Sequence, residues 1–104
     1  MNYISTRGEA PTLGFEDVLL AGLARDGGLY VPETWPKLPS ETILAMVGKS
    51  FAEVAVEVIH PFVGDAITKG ELGAMAEDAY ATFSHPSVTP LVEIGPNRFI
   101  LELF

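Results

Sequence analysis

The spacing of apolar residues changes several times along the chain, and each change marks an element. Tyr3-Ile4-Ser5-Thr6 is β-branched and aromatic and stops at Arg7-Gly8, which predicts a short strand. Pro11 and Gly14 mark a loop. From Phe15 the spacing becomes helical, with Phe15, Val18, Leu19 and Leu23 on one face. Glu16 and Asp17 fall in the first turn, where the helix dipole favours negative charge. Arg25 falls in the expected last turn, and Gly27-Gly28 can supply a left-handed stop. Leu29-Tyr30-Val31 predicts a second strand, closed by Pro32, and a stiff proline-rich loop carrying Trp35 follows.

The middle of the chain is helical in pattern. Ser40 is placed to cap a short helix with Ile43, Leu44 and Val47 on one side, ended by Gly48. Ser50-Phe51-Ala52-Glu53 and Thr68-Lys69-Gly70-Glu71 both have capping-box form: the hydroxyl can accept from the third amide while the glutamate reaches back to the cap N–H. Behind the first box, Val54, Ala55, Val58, Ile59 and Phe62 keep helical spacing, and Pro61 should kink or end that helix near His60. Behind the second, Leu72, Met75, Ala76, Ala79, Tyr80 and Phe83 form an apolar stripe, ended by His85-Pro86. Leu91–Ile94 and Phe99–Phe104 then read as two strands around the turn Gly95-Pro96-Asn97-Arg98, an antiparallel hairpin. The fold class is α/β in the mixed α+β sense: short strands near 3–6 and 29–31, about four helices, and a terminal hairpin near 91–104 that could share a sheet with the first strands. The expected division is an amino-terminal domain at 1–86 and, at 87–104, a hairpin that begins a further domain.

The chain stops on Leu103-Phe104 inside an apolar strand pattern. Domain ends are usually polar and frayed unless tied down. The expectation is either a chain cut within a larger protein or a docked final strand. Composition leans toward the first. Hydrophobic residues make up 48% of 104, and so small a body has much surface relative to its volume. Some of that apolar surface is expected to face something outside the chain.

A net charge of −8, with no Lys/Arg cluster to offset it, excludes a phosphate backbone as a natural partner. The absence of cysteine excludes disulfides and thiolate metal sites. No apolar run reaches signal-peptide form or the roughly 20 residues of a bilayer span, so the expected location is the cytoplasm.

The inventory of reactive groups is thin. His60 and His85 each precede a proline and lack acidic neighbours at ligand spacing, so no metal site is expected. A Schiff-base lysine needs a desolvated amine. Lys37 stands in the proline-rich loop, Lys49 between helices and Lys69 beside a cap, so none is a candidate. Gly27-Gly28 lacks the Lys-Ser/Thr of a phosphate loop. Ser5, Thr6 and Arg7 form the most reactive-looking group: two hydroxyls and a guanidinium at a strand end could grip a phosphate or carboxylate, or could be ordinary turn chemistry.

Three segments carry a resemblance that covers essentially the whole chain. They are Tyr3-Ile4-Ser5-Thr6-Arg7-Gly8, Phe15-Glu16-Asp17-Val18-Leu19-Leu20-Ala21-Gly22-Leu23-Ala24 and Asp26-Gly27-Gly28-Leu29-Tyr30-Val31-Pro32, followed by Phe83, Pro90-Leu91 and Leu101-Glu102-Leu103-Phe104. The combination resembles the amino terminus of threonine synthases. The resemblance implies a parent with the fold of the tryptophan-synthase-β-like (fold-type II) pyridoxal phosphate enzymes. Such a parent converts O-phospho-L-homoserine and water to L-threonine and phosphate. It also implies that the cofactor lysine lies beyond Phe104, that this piece alone binds no cofactor and is inactive, and that the catalytic domains of the same chain are its partner. Ser5, Thr6 and Arg7 would then line the active-site edge or the substrate phosphate. A chain cut at this point is expected to self-associate artefactually through its exposed last strand. The alternative is a free-standing, non-catalytic interaction domain, which would show no large apolar patch.

Overall fold

A computed structural model describes residues 1–103, and Phe104 lies outside the described residues. β1 (Asn2–Ser5) is the central strand of a three-stranded antiparallel sheet, flanked by β2 (Leu13–Gly14) and β3 (Tyr30–Pro32). Its side chains alternate as the strand period requires: Tyr3 and Ser5 are buried, Asn2 and Ile4 exposed. The Tyr3 hydroxyl donates to the Phe62 carbonyl at 2.7 Å, tying the sheet to a helix 59 residues away. β2 falls where the sequence pattern shows only a loop. Two residues are too few to carry a readable period.

α1 (Phe15–Ala21) starts where the spacing places it but stops earlier than expected. Gly22, at φ 68°, donates its N–H to the Val18 carbonyl and ends the helix, so Arg25 and Gly27-Gly28 belong to the loop beyond it. That loop is closed by the Leu23–Leu29 bridge. Leu19 and Leu23, expected on the covered face, are 67% and 66% exposed, and Leu20 is 87% exposed. α2 (Ser40–Leu44) is capped by Pro39 without a side-chain bond, which makes Ser40 its first helical residue rather than its cap.

α3 (Phe51–Val63) and α4 (Lys69–Tyr80) pack against each other, joined by a 3-10 turn at Gly64–Ala66. Phe51 at the start of α3 meets Tyr80 at the end of α4 edge-on at 4.7 Å, so the two helices run in opposite directions. Both capping boxes are complete: Ser50 with Glu53 and Thr68 with Glu71 each exchange both bonds. α3 runs through Pro61 and ends at Gly64, φ 66°. Pro61 sits in the last turn, so it forfeits only the one bond it would have made four residues back. Val63, 2% exposed, is the most buried large side chain.

The loop after α4 holds a buried valine, Val88, at φ 59°. β4 (Leu91–Gly95) and β5 (Arg98–Leu101) follow as an antiparallel hairpin with a bulge between Glu93 and Gly95. The hairpin is a sheet of its own and does not join β1–β3. Leu91, Ile94, Phe99, Ile100 and Leu101 on its two strands are all exposed. Among the described residues, no helix is long and apolar enough to cross a membrane.

Candidate functional site

The antiparallel register of β1 with β3 pairs Ser5 with Tyr30 and so lays the segment 5–8 against the segment 26–29. Thr6 takes the pairing one step further: its N–H donates to the Leu29 carbonyl at 2.9 Å, and its hydroxyl accepts from the Leu29 N–H at 3.0 Å. Beyond it the chain turns on Gly8, whose N–H donates to the Ser5 carbonyl and whose φ is 77°.

Ser5 points inward from a core position and is 5% exposed. A buried hydroxyl needs partners, and Ser5 has two. It donates to Asp26 Oδ1 at 2.8 Å and accepts from the Arg7 N–H at 3.2 Å. Asp26 also accepts from the Gly28 N–H at 2.9 Å and the Glu9 N–H at 3.0 Å. Burial on its own pushes the Asp26 carboxyl up. The Gly28 N–H, the Ser5 hydroxyl and the Glu9 and Ala10 N–H groups outweigh it and hold the carboxyl below the usual carboxylate range.

Arg7 is exposed and anchored at one corner only: Nη1 donates to the Asp26 main-chain carbonyl at 2.9 Å. It forms no ion pair among the described residues. Its guanidinium lies over Gly27, where a β-carbon would stand 2.8 Å from Nη1. A β-carbon on Gly28 would collide with Ser5 Oγ and stand 3.0 Å from Asp26 Oδ1 and 3.1 Å from the Arg7 nitrogen. Gly28 is thus required by close approach of the strand-end loop and Gly27 by its φ of 79°, uses that the helix-stop reading does not include.

The three residues singled out in the sequence are therefore together but not equivalent. Ser5 and Thr6 spend their hydroxyls on the fold, and Arg7 presents charge to solvent. Asp26 is the residue that sequence reasoning missed. Its signal was an acidic side chain directly before Gly-Gly, the usual place for a carboxylate that bonds backbone two residues on.

The remaining reactive groups are occupied or isolated. Lys69 and Lys49 both approach Glu57, at 2.9 and 3.9 Å. The Lys69 hydrogen bond and charge hold the Glu57 carboxyl below its ordinary value, with smaller help from Lys49 and His60. His85 Nδ1 accepts from the Ser87 N–H within its own turn. No metal-binding group of three or more acidic, His or Cys side chains occurs among the described residues. These residues do not fit pyridoxal phosphate: Lys37 is exposed, and an amine tied to a carboxylate in water is the opposite of the desolvated amine that imine formation needs.

Known proteins share this chain's sequence and fold. Residues 2–80 match the family model described as threonine synthase N terminus. The threonine synthase of Pseudomonas aeruginosa is 50% identical over 104 residues, which is 100% of this chain and 22% of that protein. The threonine synthase of Schizosaccharomyces pombe is 42% identical over 105 residues, 100% of this chain and 20% of its own length. Among solved structures, the pyridoxal-phosphate-bound threonine synthase of Brucella melitensis superposes with a TM-score of 0.94 at 55% identity, covering all of this chain and 22% of that one. The chain thus spans about a fifth of the length of the curated relatives it matches. With a family model over most of its length, and with both halves of the 5–8 and 26–32 pattern joined through Asp26, the chain belongs to the threonine synthase family, in its amino-terminal region.

Proposed function

We propose that this chain is the amino-terminal part of a threonine synthase that converts O-phospho-L-homoserine and water to L-threonine and phosphate. Pyridoxal phosphate, bound by the rest of the polypeptide, supplies the electron sink there. This part contributes no group to the cofactor. Its role is to pack beside the catalytic domains and complete the edge of the site, with Arg7 offered to the substrate phosphate. Supporting this are the shared sequence with the relatives described above and the exposed Arg7 guanidinium, whose Nη1 is held on the Asp26 main-chain carbonyl. Arginine suits a phosphate because its planar fork matches two oxygens at once.

The exposed Leu19, Leu20 and Leu23 on α1 and the apolar strands of the hairpin are the surfaces offered to the missing domains of the same chain. Left uncovered, the open hairpin edge would pair with a second copy, an artefact of isolation. Nucleic acid is not a partner of so acidic a surface, no helix among the described residues is long and apolar enough to cross a membrane, and the proposed location of the enzyme is the cytoplasm.

The test compares the full-length enzyme, its Arg7→Ala variant and the 104-residue chain alone. Phosphate release from phosphohomoserine should be present in the first and absent in the last. In the variant, kcat/KM should fall by about tenfold or more, the scale of one hydrogen bond to a charged group. Turnover by the short chain alone, or unchanged kinetics in Arg7→Ala, would overturn the reading.

A further inference from the structure

We infer that Asp26 is a positioning residue for substrate phosphate, acting through Arg7 and never touching the substrate itself. The inference rests on the role proposed above for Arg7.

Arg7 is held twice, and both holds end on Asp26. The guanidinium is fixed by Nη1 to the Asp26 main-chain carbonyl at 2.9 Å. The Arg7 backbone is fixed by its N–H to Ser5 Oγ at 3.2 Å, and Ser5 in turn donates to Asp26 Oδ1 at 2.8 Å. The Asp26 carboxylate also fixes the loop beyond Arg7 through the Glu9 N–H and its own turn through the Gly28 N–H. An exposed arginine ordinarily has a large rotamer entropy to lose on binding. Here one side of the fork is already committed to a rigid carbonyl, so less remains to be ordered when an anion arrives.

A carboxylate is needed at this position, not merely a hydrogen-bonding side chain. Ser5 Oγ–H, Gly28 N–H and Glu9 N–H are all donors, and they approach both oxygens. Asparagine offers one accepting oxygen and one donating nitrogen. Asp26→Asn therefore sets an N–H against an N–H or O–H on one side, which loosens the turn that positions the anchoring main-chain carbonyl while leaving that carbonyl and the guanidinium in place.

The experiment uses the full-length holoenzyme with Arg7→Ala, Asp26→Asn and the double variant. The readouts are kcat/KM for phosphohomoserine, inhibition by inorganic phosphate, inhibition by L-threonine (which has no phosphate) and the thermal midpoint. Asp26→Asn is expected to weaken phosphate inhibition and kcat/KM by roughly five- to tenfold, about the worth of one hydrogen bond, and to leave L-threonine inhibition unchanged. In the Arg7→Ala background it should add no further loss, because the group it orients is gone. Where Asp26→Asn folds poorly, Ser5→Ala, which cuts only the backbone hold, should show a smaller loss with the same dependence on Arg7. Unchanged phosphohomoserine kinetics and phosphate inhibition in Arg7→Ala would defeat the Arg7 role itself. If Arg7→Ala is impaired but Asp26→Asn is not, or if the two losses multiply independently, the Arg7 role stands and the positioning role of Asp26 is wrong. Equal weakening of L-threonine and phosphate inhibition would make Asp26 merely structural.

Discussion

Replacing Gly28 with alanine puts a methyl carbon where the Ser5 hydroxyl already is. The new β-carbon collides with Ser5 Oγ and stands 3.0 Å from Asp26 Oδ1 and 3.1 Å from the Arg7 main-chain nitrogen. Two of these neighbours cannot swing away cheaply, since the nitrogen is backbone and the carboxylate is held by several donors. Ser5 can rotate, but only by giving up its bonds to Asp26 and to the Arg7 N–H. Overpacking of this kind costs about 1–3 kcal/mol, and each lost hydrogen bond about 0.5–1.5 kcal/mol. The lower entropy of an unfolded alanine returns about 0.4–1 kcal/mol. A net destabilisation of about 3 kcal/mol follows. Gly8→Ala is the contrast. Gly8 has open space around it but a φ of 77°, so its cost is the left-handed strain alone, about 1–2 kcal/mol, and it should leave the Ser5–Asp26 bond intact.

The assay is urea unfolding of the chain followed by circular dichroism and by the fluorescence of its single tryptophan, Trp35, which meets Phe62 edge-on at 6.2 Å. A double variant isolates the cause. Ser5→Ala removes the atom in collision, so Gly28→Ala should cost about 1 kcal/mol less in that background. A Gly28→Ala protein within about 0.5 kcal/mol of the unmodified chain, or strict additivity with Ser5→Ala, would refute the close-approach account of this glycine.

Three further outcomes are expected. Tyr3→Phe keeps the buried ring but removes the 2.7 Å bond to the Phe62 carbonyl, and should cost about 1 kcal/mol in urea with no change in m-value. Thr68→Ala removes the hydroxyl that accepts from the Glu71 N–H, and should cost about 1 kcal/mol and speed amide exchange in the first turn of α4. In acid, Asp26, Glu53 and Glu71 act with one sign. Burial opposes the lowering at Asp26 but is outweighed by the donors around it, Glu53 is lowered first by the Ser50 N–H, and Glu71 first by the Thr68 hydroxyl. Folded values below unfolded ones mean the stabilisation is complete above the ordinary carboxylate range near pH 4 and is lost as pH falls through the lower folded values. Asp26→Asn should therefore flatten the acid limb of a stability–pH curve, and an unchanged slope would show that the carboxylate carries no such linkage.

Features built from neighbours a few residues apart were legible in the chain. Ser50 and Glu53, and Thr68 and Glu71, are three residues apart, and both boxes form as their spacing demands. Gly95-Pro96-Asn97-Arg98 turns the terminal hairpin for the same local reason, with Asn97 accepting a φ of 55°. Where two local signals competed, one had to lose. Gly22 and Gly27 could both stop α1, and Gly22 comes first at a position whose N–H can bond back to Val18.

Helix starts, strand alternation and the apolar character of each face were written in the residue order, because the bonds and periods that create them close within a turn or a pleat. The tertiary structure alone decided which apolar faces are covered, leaving Leu19, Leu20 and Leu23 in the open. It also turned Ser5 inward and brought Asp26, 21 residues away, to meet it. That meeting depends on the register between β1 and β3 and on the absence of a β-carbon at Gly28. A contact of that kind is set by how distant segments pack, and no period along the chain encodes it.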